Sequence, residues 1–145
     1  MDSTGAGRME RSRTWPEYAV IALGVVYLLV GALGFAVTGG MGFASRDGGE
    51  LLGVFEVNPL HNIAHLAIGA ALVGAYLSGR RAVIAIAAVV GAVYLLLAVV
   101  GPFVVGTDAN ILALNAPDHW LHLGSAIVLL LAAYTVRMED RAAVS

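Results

Sequence analysis

Four long apolar runs, separated by short stretches where the polar residues gather, set the pattern of this chain. The first, Tyr18 to Val37, holds 20 uncharged residues, which at ~1.5 Å each match a hydrocarbon core of ~30 Å. The second, Leu60 to Leu77, is apolar except for His61, Asn62, His65 and little else, all three in its first two turns. The third, Ala82 to Val105, carries no charge and is long enough to tilt. The fourth, His119 to Val136, again gathers its polar residues at its start, with Asp118, His119 and His122 together. The pattern predicts an all-α integral membrane four-helix bundle, preceded by a polar segment, 1–17, and followed by a tail, 137–145, both loosely held.

Composition removes the alternative. The chain is 59% hydrophobic and 12% charged, where soluble domains carry roughly 25% charge. Without cysteine there is no disulfide framework, thiol nucleophile or thiolate metal site. All eight basic residues are arginines, and their placement is more informative than the net charge of −2. Arg8, Arg11 and Arg13 precede span one, Arg80 and Arg81 join spans two and three, and Arg137 and Arg141 follow span four; Arg46 alone falls on the other side. Basic residues beside short spans stay on the cytoplasmic side. Both termini are therefore expected in the cytoplasm, with loops 38–57 and 106–117 facing outward, in a plasma-membrane protein. Trp15, Tyr18, Tyr76 and Tyr134 fit an inner aromatic belt and Trp120 an outer one. The basic start resembles a signal peptide, but its apolar run exceeds the ~7–15 residues of a signal core, so it is expected to stay. Nothing points to a nucleic-acid partner. The expected partners are the lipid bilayer and either further copies of the chain or another membrane protein.

The chain also aligns with itself. Tyr27-Leu28-Leu29, Gly34 and Val37 meet Tyr94-Leu95-Leu96, Gly101 and Val104, while Asn58, His65, Leu66, Leu72 and Ala75 meet Asn115, His122, Leu123, Leu129 and Ala132. The first loop is longer by ten residues. Two parallel helical-hairpin repeats, related by an axis along the membrane normal, are the expected architecture.

The chemistry gathers at the starts of spans two and four. Asn58-Pro59 reads as a cap followed by proline at the first helical position, and Asn115 plays the same part for span four. Residues four apart lie ~40° apart around a helix, so His61 with His65, and Asp118 with His122, form two stripes with His119 beside the second. His65 and His122 lie roughly 10 Å down their helices, a depth at which ionisable groups face a bundle interior. Tyr27 and Tyr94 are at a depth to reach them.

Four readings compete for His61, His65, Asp118, His119 and His122, with Asn58, Asn62, Asn115, Tyr27 and Tyr94 in support. Imidazoles with one carboxylate suit a transition metal. His65 and His122 as a pair suit axial ligation of a haem. Histidines titrating near neutral pH suit proton or ion passage in a small transporter, or the chain is an accessory subunit of a larger complex. Alternatively, the cluster is interhelical polar glue. Catalysis is the least indicated, because no nucleophile–base–orienter set or phosphate loop is present. Gly31, Gly34, Gly69, Gly74 and Gly91 are expected to allow close helix packing. Residues 51–55 are expected to form a short interfacial helix or a cover over the bundle mouth, with Glu56 solvated.

The run Gly53-Val54-Phe55-Glu56-Val57-Asn58-Pro59-Leu60-His61-Asn62-Ile63-Ala64-His65-Leu66, followed by Asn115, Asp118 and Leu121-His122, resembles a family of small four-span bacterial membrane proteins, the domain-of-unknown-function group numbered 4383. The resemblance covers about Trp15 to Val136. It implies membrane location and four helices, and it transfers no activity and no site residues.

Overall fold

The computed structural model of the chain describes residues 12–144. It contains four long helices: α1 (Trp15–Gly34), α2 (Pro59–Ser78), α3 (Arg80–Val104) and α4 (Ala116–Ala142). Each is long and apolar enough to cross a membrane. Arg8 and Arg11, two of the residues behind the expected orientation, lie outside the described residues, as does most of segment 1–17.

The helix starts are written into the sequence. Thr14 caps α1 through a capping box with Glu17, and Asn115 caps α4 through one with Asp118; Asn58 accepts from the His61 amide at the start of α2. Each box satisfies donors that a helix N-terminus leaves free. Between α2 and α3 the chain turns at Gly79 alone, whose φ of +105° favours a residue without Cβ. Two helices differ from expectation in their bounds. α1 begins three residues earlier and ends at Gly34, and α4 runs on through Ala142, so 137–142 is helix rather than a loose tail.

α1 packs chiefly on α2 and α3 on α4. A Cβ on Gly31 would collide with the backbone of Asn62, one on Gly69 with the backbone of Gly24 and Leu28, and one on Gly91 with Leu130. Gly34 similarly admits the Asn62 side chain. Small residues thus let paired backbones approach, as expected of spans that gain no hydrophobic drive from lipid. Gly74 is the exception, since nothing lies within 4 Å of the position its Cβ would take. The core between the four helices holds Tyr27, Leu72, Val90, Tyr94, Ala126 and Leu129, continuing to Val20, Val83 and Val136.

Residues 49–57 form a two-stranded antiparallel hairpin, β1 (Gly49–Leu51) and β2 (Phe55–Val57), pairing Gly49 with Val57 and Leu51 with Phe55. The expected interfacial helix is therefore absent. Leu52 and Gly53, both at positive φ, make the tight turn, closed by the Val54 amide donating to the Leu51 carbonyl. A positive φ at leucine is invisible to pattern reading, because it disfavours that residue type. The hairpin nevertheless covers the bundle: Leu51 and Val57 are buried, and the Val54 carbonyl accepts from the Asn115 side chain at 2.8 Å.

Candidate metal centre of three histidines

His61 and His65, four residues apart on α2, meet His122 of α4. One ring nitrogen from each lies within 4.8 Å of the others. The side chains are 2%, 3% and 1% exposed. Ring centroids are 4.4 Å apart for His61 and His65 and 6.1 Å apart for His61 and His122. Tyr94 stacks on His122 at 4.9 Å with 16° between planes, and Tyr27 packs on His65 at 5.1 Å. The tyrosines fix the rings from below.

Polar satisfaction is uneven around this centre. Tyr27 Oη and Ser125 Oγ hydrogen-bond at 2.5 Å. The Tyr94 hydroxyl lies toward that of Tyr27 without a bond of good geometry. Both ring nitrogens of His61 and of His65, and Nδ1 of His122, find no hydrogen-bond partner among the described residues. Backbone groups of Glu56, between α1 and α2, and Leu112, between α3 and α4, approach His61 without completing a bond. Buried polar atoms are satisfied in the great majority of cases, so a concentration of unpaired nitrogens at one point is itself a chemical feature.

The other expected residues fall into separate roles. Asp118 is buried, but its Oδ2 accepts the Asn115 amide at 2.9 Å in the α4 capping box, so its carboxylate serves the helix start. His119, about 100° around the helix from Asp118, packs its ring against Gly101 of α3 and stands outside the group of three. Asn62 donates to Thr38 Oγ1 at 3.1 Å. The two cap asparagines reach across the molecule: Asn58 Nδ2 donates to the Ile111 carbonyl at 2.7 Å and to Ser45 O at 2.8 Å, while Asn115 Nδ2 reaches Val54 O. They tie the α1–α2 and α3–α4 loops together at the histidine end of the bundle. The exposed pair Arg46–Asp108, at 2.6 Å, adds a further link.

A second buried polar centre, missed in the sequence, lies at the opposite end of the bundle. Glu17, 1% exposed, accepts from Arg80 at 2.7 Å and from Arg13 at 3.3 Å. Arg80 also binds Glu139 at 2.5 Å and Asp140 at 2.6 Å, and donates to the Val136 carbonyl. The Arg13 guanidinium covers the Tyr76 ring at 4.1 Å. The start of α1, the α2–α3 turn and the end of α4 are thereby drawn onto one guanidinium. The local signal was Thr14-x-x-Glu17, a capping box that places Glu17 inside a helix rather than in a polar leader.

Three imidazoles converging from two helices resemble the protein half of a three-histidine metal site that keeps a further position open. Bonds of about 2.0–2.1 Å would bring tetrahedral donors to roughly 3.4 Å from one another, so the group would close by a little over an ångström through side-chain rotation. Residues 17–135 match the profile of a family described as "Domain of unknown function (DUF4383)". No curated protein and no solved structure matches the chain.

Proposed function

The chain belongs to the DUF4383 family, a domain of unknown function, and from its own residues we propose that it is a four-span membrane protein whose His61, His65 and His122 bind a transition-metal ion. One observation carries the reading: three buried histidines each bring one ring nitrogen within 4.8 Å of the others, and five of their six ring nitrogens have no hydrogen-bond partner among the described residues. Three neutral imidazoles suit zinc, copper, nickel or ferrous iron over calcium or magnesium.

The alternatives have less support. A haem between His65 and His122 meets the Tyr27 and Tyr94 rings, which pack on those histidines and on each other at 5.1 Å. A proton or ion conduit meets Leu72, Leu129, Val83 and Val136 below them, each wholly buried. That inner half supports a site closed at its base and approached from the loop end. Both termini in the cytoplasm remain our reading of the arginine distribution, which puts the histidines in the outer leaflet. Matching contacts support two hairpin repeats: Gly24 against Leu72 and Val73 corresponds to Gly91 against Leu129 and Leu130, and Gly34 against Asn62 to Gly101 against His119.

The test is metal retention by protein purified without chelator, followed by titration of zinc or copper against a chromophoric competitor. His65→Asn and His122→Asn should each weaken binding by more than the roughly 10–100-fold that loss of an outer partner costs, while His119→Asn leaves it near wild type. Equal affinity in all four proteins, or none in the wild type, overturns the reading.

A further inference from the structure

A different surface runs down the inner half of α3 and α4, away from the histidines. Ile84 and Ala88 of α3, with Leu130, Tyr134 and Arg137 of α4, line a groove of about 190 Å³. A second, shallower depression shares Ile84 and Arg137 with it and adds Arg141, Val144 and Asp140, whose carboxylate is engaged by Arg80 at 2.6 Å. On α4, residues 130, 134, 137 and 141 recur at the spacing of one helical stripe. The stripe changes along its length, from leucine through tyrosine to two arginines.

Those arginines differ from Arg80. Arg80 is surrounded by three carboxylates, whereas neither Arg137 nor Arg141 has an ion-pair partner among the described residues. Both are exposed, beside the exposed side chains of Tyr134 and Met138. An apolar channel between two spans that ends in two unpaired guanidinium groups has the shape and charge of an amphiphile with an anionic head. Guanidinium groups grip phosphate oxygens in pairs, and basic pockets between spans select anionic head groups.

We infer that the α3–α4 groove is a binding site for an anionic phospholipid, its acyl chain against Ile84, Ala88 and Leu130 and its phosphate between Arg137 and Arg141. A zwitterionic lipid offers the same phosphate with a compensating ammonium, so selection falls on net charge. The site is independent of the histidines and needs no metal.

The test uses the full chain, delipidated in mild detergent and titrated separately with phosphatidylglycerol, phosphatidylcholine of the same acyl chains, and inorganic phosphate, with adducts counted by native mass spectrometry. Wild type should hold one phosphatidylglycerol in preference to phosphatidylcholine. Arg137→Gln with Arg141→Gln should lower that affinity roughly fivefold for each arginine removed and abolish the preference. Arg137→Lys with Arg141→Lys should keep part of it, and Arg46→Gln in the outer loop should change nothing. Tyr134→Ala should weaken both lipids, because it removes a wall of the groove and no charge. The inference is overturned if wild type holds the two lipids equally, if the double glutamine variant keeps its preference, or if inorganic phosphate binds as tightly as the lipid.

Discussion

Two buried polar centres sit at opposite ends of this bundle, and they are built on opposite principles. At the end where α1 begins and α4 finishes, Arg80 meets Glu17, Glu139 and Asp140, with Arg13 and Thr14 closing the remaining acceptors. Charge is neutralised where it stands. At the loop end, where α2 and α4 begin, three imidazoles approach one another with most ring nitrogens unpaired among the described residues. A saturated cluster holds elements together, whereas an unsaturated one is prepared for something else. On the proposed reading the first provides stability and the second binding, and each half of that proposal can be broken.

The largest effect is expected at Arg80. Arg80→Met leaves Glu17 buried without its principal partner, and removing one member of a buried pair costs about 3–5 kcal/mol. Thermal unfolding in detergent should show this as the greatest loss of any single substitution in the protein. Glu17→Met in the same chain should recover much of it, since an apolar pair of similar volume carries no stranded charge. An Arg80→Met protein as stable as wild type would dissolve the contrast between the two ends.

The histidines should behave the other way. Without metal, His122→Leu removes an imidazole whose Nδ1 has no partner among the described residues, so stability should fall by less than about 1 kcal/mol or rise. Added zinc should raise the melting temperature of wild type, by mass action on the folded state, and leave His122→Leu unmoved. If instead His122→Leu unfolds the metal-free protein as severely as Arg80→Met, the trio is structural glue. A third effect lies between these two in place and size. Tyr27→Phe forfeits one buried hydrogen bond, to Ser125, worth about 1 kcal/mol, and should shift unfolding modestly without altering metal affinity.

How much of this was legible depends on whether the determinants are local. The four helices follow from uncharged runs bounded by Asn58-Pro59, Asn115-Ala116-Pro117 and Gly79, all of which act within a turn or two. His61 and His65 share a stripe by spacing alone. The same spacing grouped Asp118 with His122, but a helix start competes for a carboxylate, and the capping box takes Asp118. The Arg80 centre was illegible for a different reason. Charges at the ends of spans look like ordinary interfacial residues, and Glu17 becomes buried only because three distant chain segments, the first two 63 residues apart at Glu17 and Arg80 and the last two 59 apart at Arg80 and Glu139, come together around it. The hairpin was hidden by Leu52, whose φ of +57° contradicts its residue type.

The smallest expected effect tests whether any charged contact matters here, or only a buried one. Arg46 and Asp108 form a 2.6 Å ion pair, geometrically as good as those of Arg80, but their side chains are 57% and 95% exposed. Water and salt screen such a pair, and the entropy of holding both side chains offsets most of the attraction. Arg46→Ala should therefore leave the melting temperature within error of wild type at physiological salt. The Asn58 and Asn115 amides, which bind the same two loops through carbonyls, keep those loops in place without it. A drop comparable to that of Arg80→Met would mean that loop closure, rather than burial, governs the stability of this fold, and that the histidine end is the stronger half of the molecule.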